Sequence, residues 1–234
     1  RENDLVRLPD PTNVLKYPHV TMTGPAQRGY VVSASSDQSQ YNLDTWKAFD
    51  GVNASGSGWA SQVGTYYDGS SPGPNSYTGT AHQLGTGTVY GEYLQLELPH
   101  KIKVTKFILY ADPGVSWGVN EAPKSYKVYG SVTGSSWTEL KDVSNETPST
   151  SGNSHDVTDT TAYKYLGIVV TQVNTNQQNI RIGELEFYGT GVDSIPLQIG
   201  GGNIDKVANF RVYDKFVGED QALEIWDAQK DEFG

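Results

Sequence analysis

The chain has no cysteine, one methionine, and no apolar run near the ~18 residues that a membrane-crossing helix needs. Lack of thiols removes disulfides, thiolate metal sites and cysteine nucleophiles, none of which a secreted protein of this size requires. Positive charge is also scarce. Lys and Arg total 17 against 27 Asp and Glu, giving a net charge of −10 and a pI near 4.8. Phosphate backbones and anionic membrane surfaces are repelled by such a chain, so no nucleic-acid partner and no membrane insertion are expected. Helical periodicity is almost missing before residue 217. No signal peptide is visible, and a chain opening on Arg1 reads as an excised or processed piece.

The 234 residues do hold 26 Gly, 11 Pro and 11% aromatic side chains, with many Ser, Thr and Asn. That mixture suits short strands joined by many turns. Pro9, Pro11, Pro18 and Pro25 make residues 1–29 an extended lead-in or edge strand. Strand-like runs follow at Tyr30–Ala34, Tyr93–Leu98, Val104–Ala111, Ser125–Gly130, Tyr163–Gln172 and Glu184–Gly189. Leu94, Leu96 and Leu98 alternate with Gln95 and Glu97, the pattern of a half-buried strand. The fold class is therefore all-β, a sandwich or barrel over residues 30–190.

Two segments differ from the rest. Residues 51–90 carry one formal charge, Asp68, and nine Gly, together with Tyr66, Tyr67, Tyr77, Tyr90 and His82. A stretch this long reads as a contact surface or a mobile loop. Residues 191–234 form a tail with a strand near Val207–Tyr213 and one α-helix over Gly218–Phe233. Glu219 and Asp220 suit that helix's N-terminal dipole. Ala222, Leu223, Ile225, Trp226 and Phe233 share one of its faces, which must dock on the sandwich or on a protein partner.

Catalytic signatures are missing. The four histidines at 19, 82, 100 and 155 lack ligand spacing, and no nucleophile elbow or phosphate loop is present. Glu184 and Glu186 are side by side on one strand face, which does not flank a glycosidic bond from two sides. Asn53-Ala54-Ser55 and Asn145-Glu146-Thr147 match the glycosylation triplet, but chance supplies such triplets readily in this composition. One other stretch invites chemistry. In Phe49-Asp50-Gly51, followed by Asn53, Ser55 and Ser57, the oxygens are the hard ligands that Ca²⁺ takes. From the residues alone, an Asp50 side chain capping its own turn is the simpler assignment.

The segments WKAFDGV, GEYLQLELPHKIKVTKFILYA, APKSYKVYGSVTGSSWTEL, YKYLGIVV and IGELEFYG occur in that order. The chain thereby resembles the coagulation factor 5/8 type C, or discoidin, domain and its galactose-binding carbohydrate-binding relatives, over about residues 30–190. The resemblance implies an antiparallel jelly-roll β-sandwich, galactose-binding-like, and places Trp59 and Trp137 at core positions. The tail resembles the last strand and helix of laminin-G-like or concanavalin-like domains. The combination looks like surface proteins of large DNA viruses of algae.

The resemblance also implies a structural Ca²⁺. Asp50 matches its aspartate, Ala48 its carbonyl donor, Asn53 with Ser55 or Ser57 its loop donors, and Glu184 its glutamate. Ligand loops of the family map to 37–46, 60–90, 112–121 and 173–181. There Trp117 is the best sugar platform, because Gly and Pro neighbours place it on a loop. Asp112, Asn120 and Arg181 are candidate polar contacts, and Tyr41, Tyr66, Tyr67 and His82 further candidates. Galactose-binding relatives often carry Arg where this chain has Ala111-Asp112. The expected function is a non-catalytic, calcium-stabilised glycan-binding or attachment module, extracellular or on a cell or virion surface. The alternative is a structural or adhesion module that binds a protein through the tail or the Tyr-rich loop.

Overall fold

The alternation at Leu94–Leu98 continues far past Leu98. In the computed structural model residues 92–110 form one strand of 19 residues whose even-numbered side chains point inward as far as Val104. The structure describes residues 14–66, 75–78, 84, 89–114, 117–175 and 178–192. All lie in the first of the chain's two units, Arg1–Ile195. The expected tail strand and helix, Tyr67 and His82 lie outside the described residues.

In chain order the strands are β1 (Leu15–Tyr17), β2 (Ala26–Gln27), β3 (Tyr30–Ala34), β4 (Trp59–Ala60), β5 (Glu92–Tyr110) and β6 (Pro123–Ser131). They continue with β7 (Trp137–Val143), β8 (Asn153–Asp156), β9 (Ala162–Val173), β10 (Arg181–Ile182) and β11 (Glu184–Gly191). Every pairing is antiparallel. The main path runs β1-β11-β5-β9-β6-β7, with β3 and β8 also on β5, while β4 pairs β10 separately.

Strand β5 serves both layers of the sandwich. Its first half pairs β9 and β3, and its second half pairs β11 and β8. The β9 register slips between Glu97 and Ile102. Pro99 lies inside that gap, where a residue without an N–H breaks no ladder bond. The two separate runs expected from the sequence are thus one strand. The proline that divides them marks the place where the chain changes layer.

Leu94, Leu96, Leu98, Ile102, Phe107, Tyr126, Ile168, Val170 and Phe187 fill the space between the layers, with Trp59 closing one end. Each buried ring or branched chain contributes roughly 1.5–3 kcal/mol by leaving water. Trp59 is fully buried, and its indole N–H donates to Ser36 O at 2.9 Å. Trp137 packs instead against a smaller cluster of Leu84, Tyr129 and Val169. Among the described residues the only helical pieces are 3-10 turns at Ser39–Tyr41 and Thr45–Phe49 and the short α1, Gly118–Glu121. No described helix is long and apolar enough to cross a membrane.

Candidate functional site

The turn after Phe49 meets the last strand. Ala48 and Phe49 are buried at the end of the Thr45–Phe49 turn, which anchors it to the core. Gly51 then adopts φ +73, a left-handed conformation that glycine takes without a Cβ clash. Two bonds define the turn. Asp50 Oδ1 accepts the Val52 N–H at 2.8 Å, and Glu184 Oε1 accepts the Gly51 N–H at 3.1 Å. Asp50 therefore does cap its own turn, and the same turn carries it to Glu184, 133 residues from Gly51 in sequence.

Glu184 lies on the face of β11 that also carries Glu186 and Tyr188, but it is only 5% exposed because the turn covers it. The two acids on this face differ sharply. Glu186 is satisfied by Lys16 Nζ, Tyr110 Oη and Tyr188 Oη. Glu184 Oε2 is buried with no hydrogen-bond partner. Burial first, and then the charge of Asp50, push the Glu184 carboxyl up to about 9, against the pull of the Gly51 N–H. Burial also raises Asp50. A buried acid with an idle oxygen beside a second, partly exposed acid forms an arrangement that a cation would relieve. A cleft of about 230 Å³ borders Glu184, lined also by Lys16, His19, Phe49, Gly51 and Glu186.

The donor set suits a hard, oxygen-seeking ion. Among the described residues no three His, Cys, Asp or Glu converge. Any ion here would rest on two carboxylates with carbonyl oxygens, as Ca²⁺ accepts and as soft metals do not. The remaining expected donors are placed as follows. Asn53 donates through Nδ2 to Thr150 O at 3.0 Å, and its Oδ1 is buried without a partner against Gly183. Ser57 Oγ is spent inside its own loop on Val52 O, Ala54 O and the Ala54 N–H. Ser55 lies beside Gly114, toward Asp112.

The neighbouring loops are tied by charge. Asp112 is completely buried. Its oxygens accept N–H bonds from Gly56 (3.2 Å) and Gly114 (2.7 Å), and Arg181 Nη1 lies 3.2 Å away. Arg181 Nε reaches Glu121 Oε2 at 2.9 Å. Burial raises the Glu121 pKa, with Arg181 pulling the other way. Thus Asp112 and Arg181, expected as sugar contacts, pair with each other, Asp112 also with backbone N–H groups and Arg181 also with Glu121. Glu121, which closes the triad, was not singled out from the sequence. The available signal was an unpaired acid in the same loop as Asp112.

The factor 5/8 type C family model, "F5/8 type C domain", matches residues 31–185, a span that begins in β3 and ends in β11. The chain belongs to the F5/8 type C family. No curated protein matches it. Several solved structures are similar to this F5/8 type C domain. One is a family 32 carbohydrate-binding module of NanJ from Clostridium perfringens, in complex with galactose. It has 15% identity and a TM-score of 0.47, covering 68% of this chain and 93% of that one. Another is chitosan-binding module 1 of a chitosanase/glucanase from Paenibacillus sp. IK-5, at 19% identity and TM-score 0.48, covering 69% and 96%. A third is CBM32-3 of a family 31 glycoside hydrolase from C. perfringens, at 18% and 0.48, covering 67% and 88%.

On this F5/8 type C domain, Trp117 is 57% exposed at the start of α1, and Tyr41 is 70% exposed. Asn120 is half-buried, and its carbonyl accepts the Thr175 N–H at 3.1 Å. Tyr66 faces inward instead. It is 2% exposed, donates to Val170 O at 2.8 Å and accepts the Glu92 N–H at 3.2 Å. A ring so enclosed has no face for a ligand. Tyr66→Phe is expected to cost about 1–2 kcal/mol, because two buried backbone groups lose their partner. Chemical denaturation measures that loss, and glycan binding in the same variant stays unchanged.

Proposed function

We propose that this F5/8 type C domain is a non-catalytic, calcium-stabilised module that binds glycans and serves attachment at an extracellular, cell or virion surface. The observation that carries the reading is the Trp117 indole, largely open to solvent yet mounted on loops fixed by buried ion pairs. A rigid aromatic face stacks on the apolar side of a pyranose at little entropic cost. Family membership supports the reading, and the solved modules named above include one bound to galactose and one described as chitosan-binding.

The proposed ion site lies between Asp50 and Glu184, with loop carbonyls completing its shell. Its role is structural: it pins the 50–57 loop to β11. Because Asp112 and Arg181 are engaged with each other, with backbone N–H groups and with Glu121, this reading assigns the polar contacts to groups such as Asn120 and exposed backbone. A glycan array probed in calcium and again in chelator tests the proposal. Binding to neutral glycans that weakens in chelator is expected. No binding to any glycan in either condition overturns it.

A further inference from the structure

We infer that Asp112 is a positioning residue that couples the ion-binding loop to the loop bearing Trp117, so that ion occupancy sets the order of the rim tryptophan. The inference rests on the calcium reading above and adds to it a route between two sites that do not touch.

The 50–57 loop is held at two points. Near its start the Gly51 N–H bonds to Glu184, and five residues later the Gly56 N–H is shared between both oxygens of Asp112 at 3.2 Å. The second anchor is also the centre of the rim. Asp112 Oδ1 accepts from Gly114 at 2.7 Å and Oδ2 takes Arg181 Nη1 at 3.2 Å. Arg181 passes to Glu121 at 2.9 Å, and the Glu121 N–H bonds to Trp117 O at 2.8 Å. Packing closes the junction further. A Cβ on Gly183, the residue before Glu184, would lie 2.2 Å from Asn53 Oδ1 and 3.0 Å from Asp112 Cα. Three chain segments therefore meet at one fully buried carboxylate and pack closely there.

The direction of coupling follows from the two anchors. Without a cation the start of the loop keeps the Gly51–Glu184 bond but lacks the carboxylate and carbonyl contacts that an ion would add, so it departs from β11 more readily. A loop that leaves β11 withdraws the Gly56 N–H from Asp112, and a buried carboxylate that loses a donor is costly. The remaining bonds to Gly114 and Arg181 must then rearrange, which loosens the mounting of Trp117. The ion reverses each step. Such a link is a coupling free energy between sites, carried by a contiguous set of hydrogen bonds.

Acrylamide quenching of Trp117 tests this, taken as the difference between the native chain and Trp117→Phe, in EDTA and in saturating CaCl₂. Calorimetry with CaCl₂ alone reports ion binding separately. In the native chain the ion lowers the quenching of Trp117. In Asp112→Asn the heat of ion binding persists while the change at Trp117 is lost. Arg181→Lys, which cannot hold Asp112 and Glu121 through one planar fork, diminishes that change. If Asp112→Asn fails to fold by circular dichroism, Arg181→Lys decides the matter alone. Ion binding with no change at Trp117, or variants that respond as the native chain does, overturns the coupling and leaves the calcium reading intact. Absence of ion binding to the native chain overturns both.

Discussion

Replacing Glu184 with glutamine is expected to stabilise the domain in chelator and to abolish its stabilisation by calcium. The two effects have one cause. Glu184 is buried beside Asp50 with an idle oxygen, so its charged form is disfavoured when no cation is present. Its folded pKa, about 9, lies above the usual carboxylate value. The folded state therefore binds more protons than the unfolded chain between roughly pH 4.5 and 9, and stability must fall as pH rises through that window. Glutamine keeps an acceptor for the Gly51 N–H and removes the charge, so the pH dependence flattens. Calcium at about a thousand times its Kd adds ~4 kcal/mol to a site that only the folded state offers. For a domain of this size that corresponds to a Tm rise on the order of 10 °C. Thermal melts of the native chain and Glu184→Gln, each in EDTA and in CaCl₂, display all four values. A native chain indifferent to calcium, or a glutamine variant that still responds, contradicts the assignment.

The second large effect concerns recognition. Trp117→Ala is expected to weaken glycan binding by about 2–3 kcal/mol, roughly 30- to 150-fold, because aromatic anchors at the centre of a contact carry most of its energy. The fold tolerates the change. Trp117 is 57% exposed, and only its backbone carbonyl takes part in the rim network. Trp59→Phe makes the contrasting control, since Trp59 is fully buried and its N–H holds Ser36 O. That variant lowers stability and leaves affinity per folded molecule alone. Titration of the best array glycan against both variants separates platform from core. Equal affinity for native chain and Trp117→Ala would remove the indole from the binding site.

Parts of this arrangement are legible in the sequence for clear physical reasons. Leu94, Leu96 and Leu98 announce a half-buried strand because side chains alternate across a sheet. Strand β9 reads plainly because Leu166 to Val170 is buried on both faces. Strand β7 does not, since Trp137–Val143 is an edge strand with Glu139, Lys141 and Asp142 along it, and charge guards such an edge. Strand β8, Asn153–Asp156, is four polar residues whose partner on β5 is over forty residues away. Only tertiary pairing makes it a strand.

The proposed ion site divides in the same way. Asp50 alone reads as a turn cap, and the structure shows that cap. What no local pattern contains is the approach of Glu184 across the whole domain. The family likeness supplied that pairing. Asp112 and Arg181 show the opposite limit. Polar residues in loops are read as ligand contacts because loops are usually exposed. A carboxylate that gathers Gly56, Gly114 and Arg181 is fully buried instead. Nothing in its immediate sequence distinguishes the two cases.

The most direct measurement is a long-wavelength anomalous difference map from a crystal grown in calcium chloride. A peak beside Glu184 Oε2, with Asp50 and loop carbonyl oxygens about 2.3–2.6 Å from it, is the expected result. A map empty at that place, with Glu184 Oε2 bonded to a protein donor, would show that the two acids meet for some other reason.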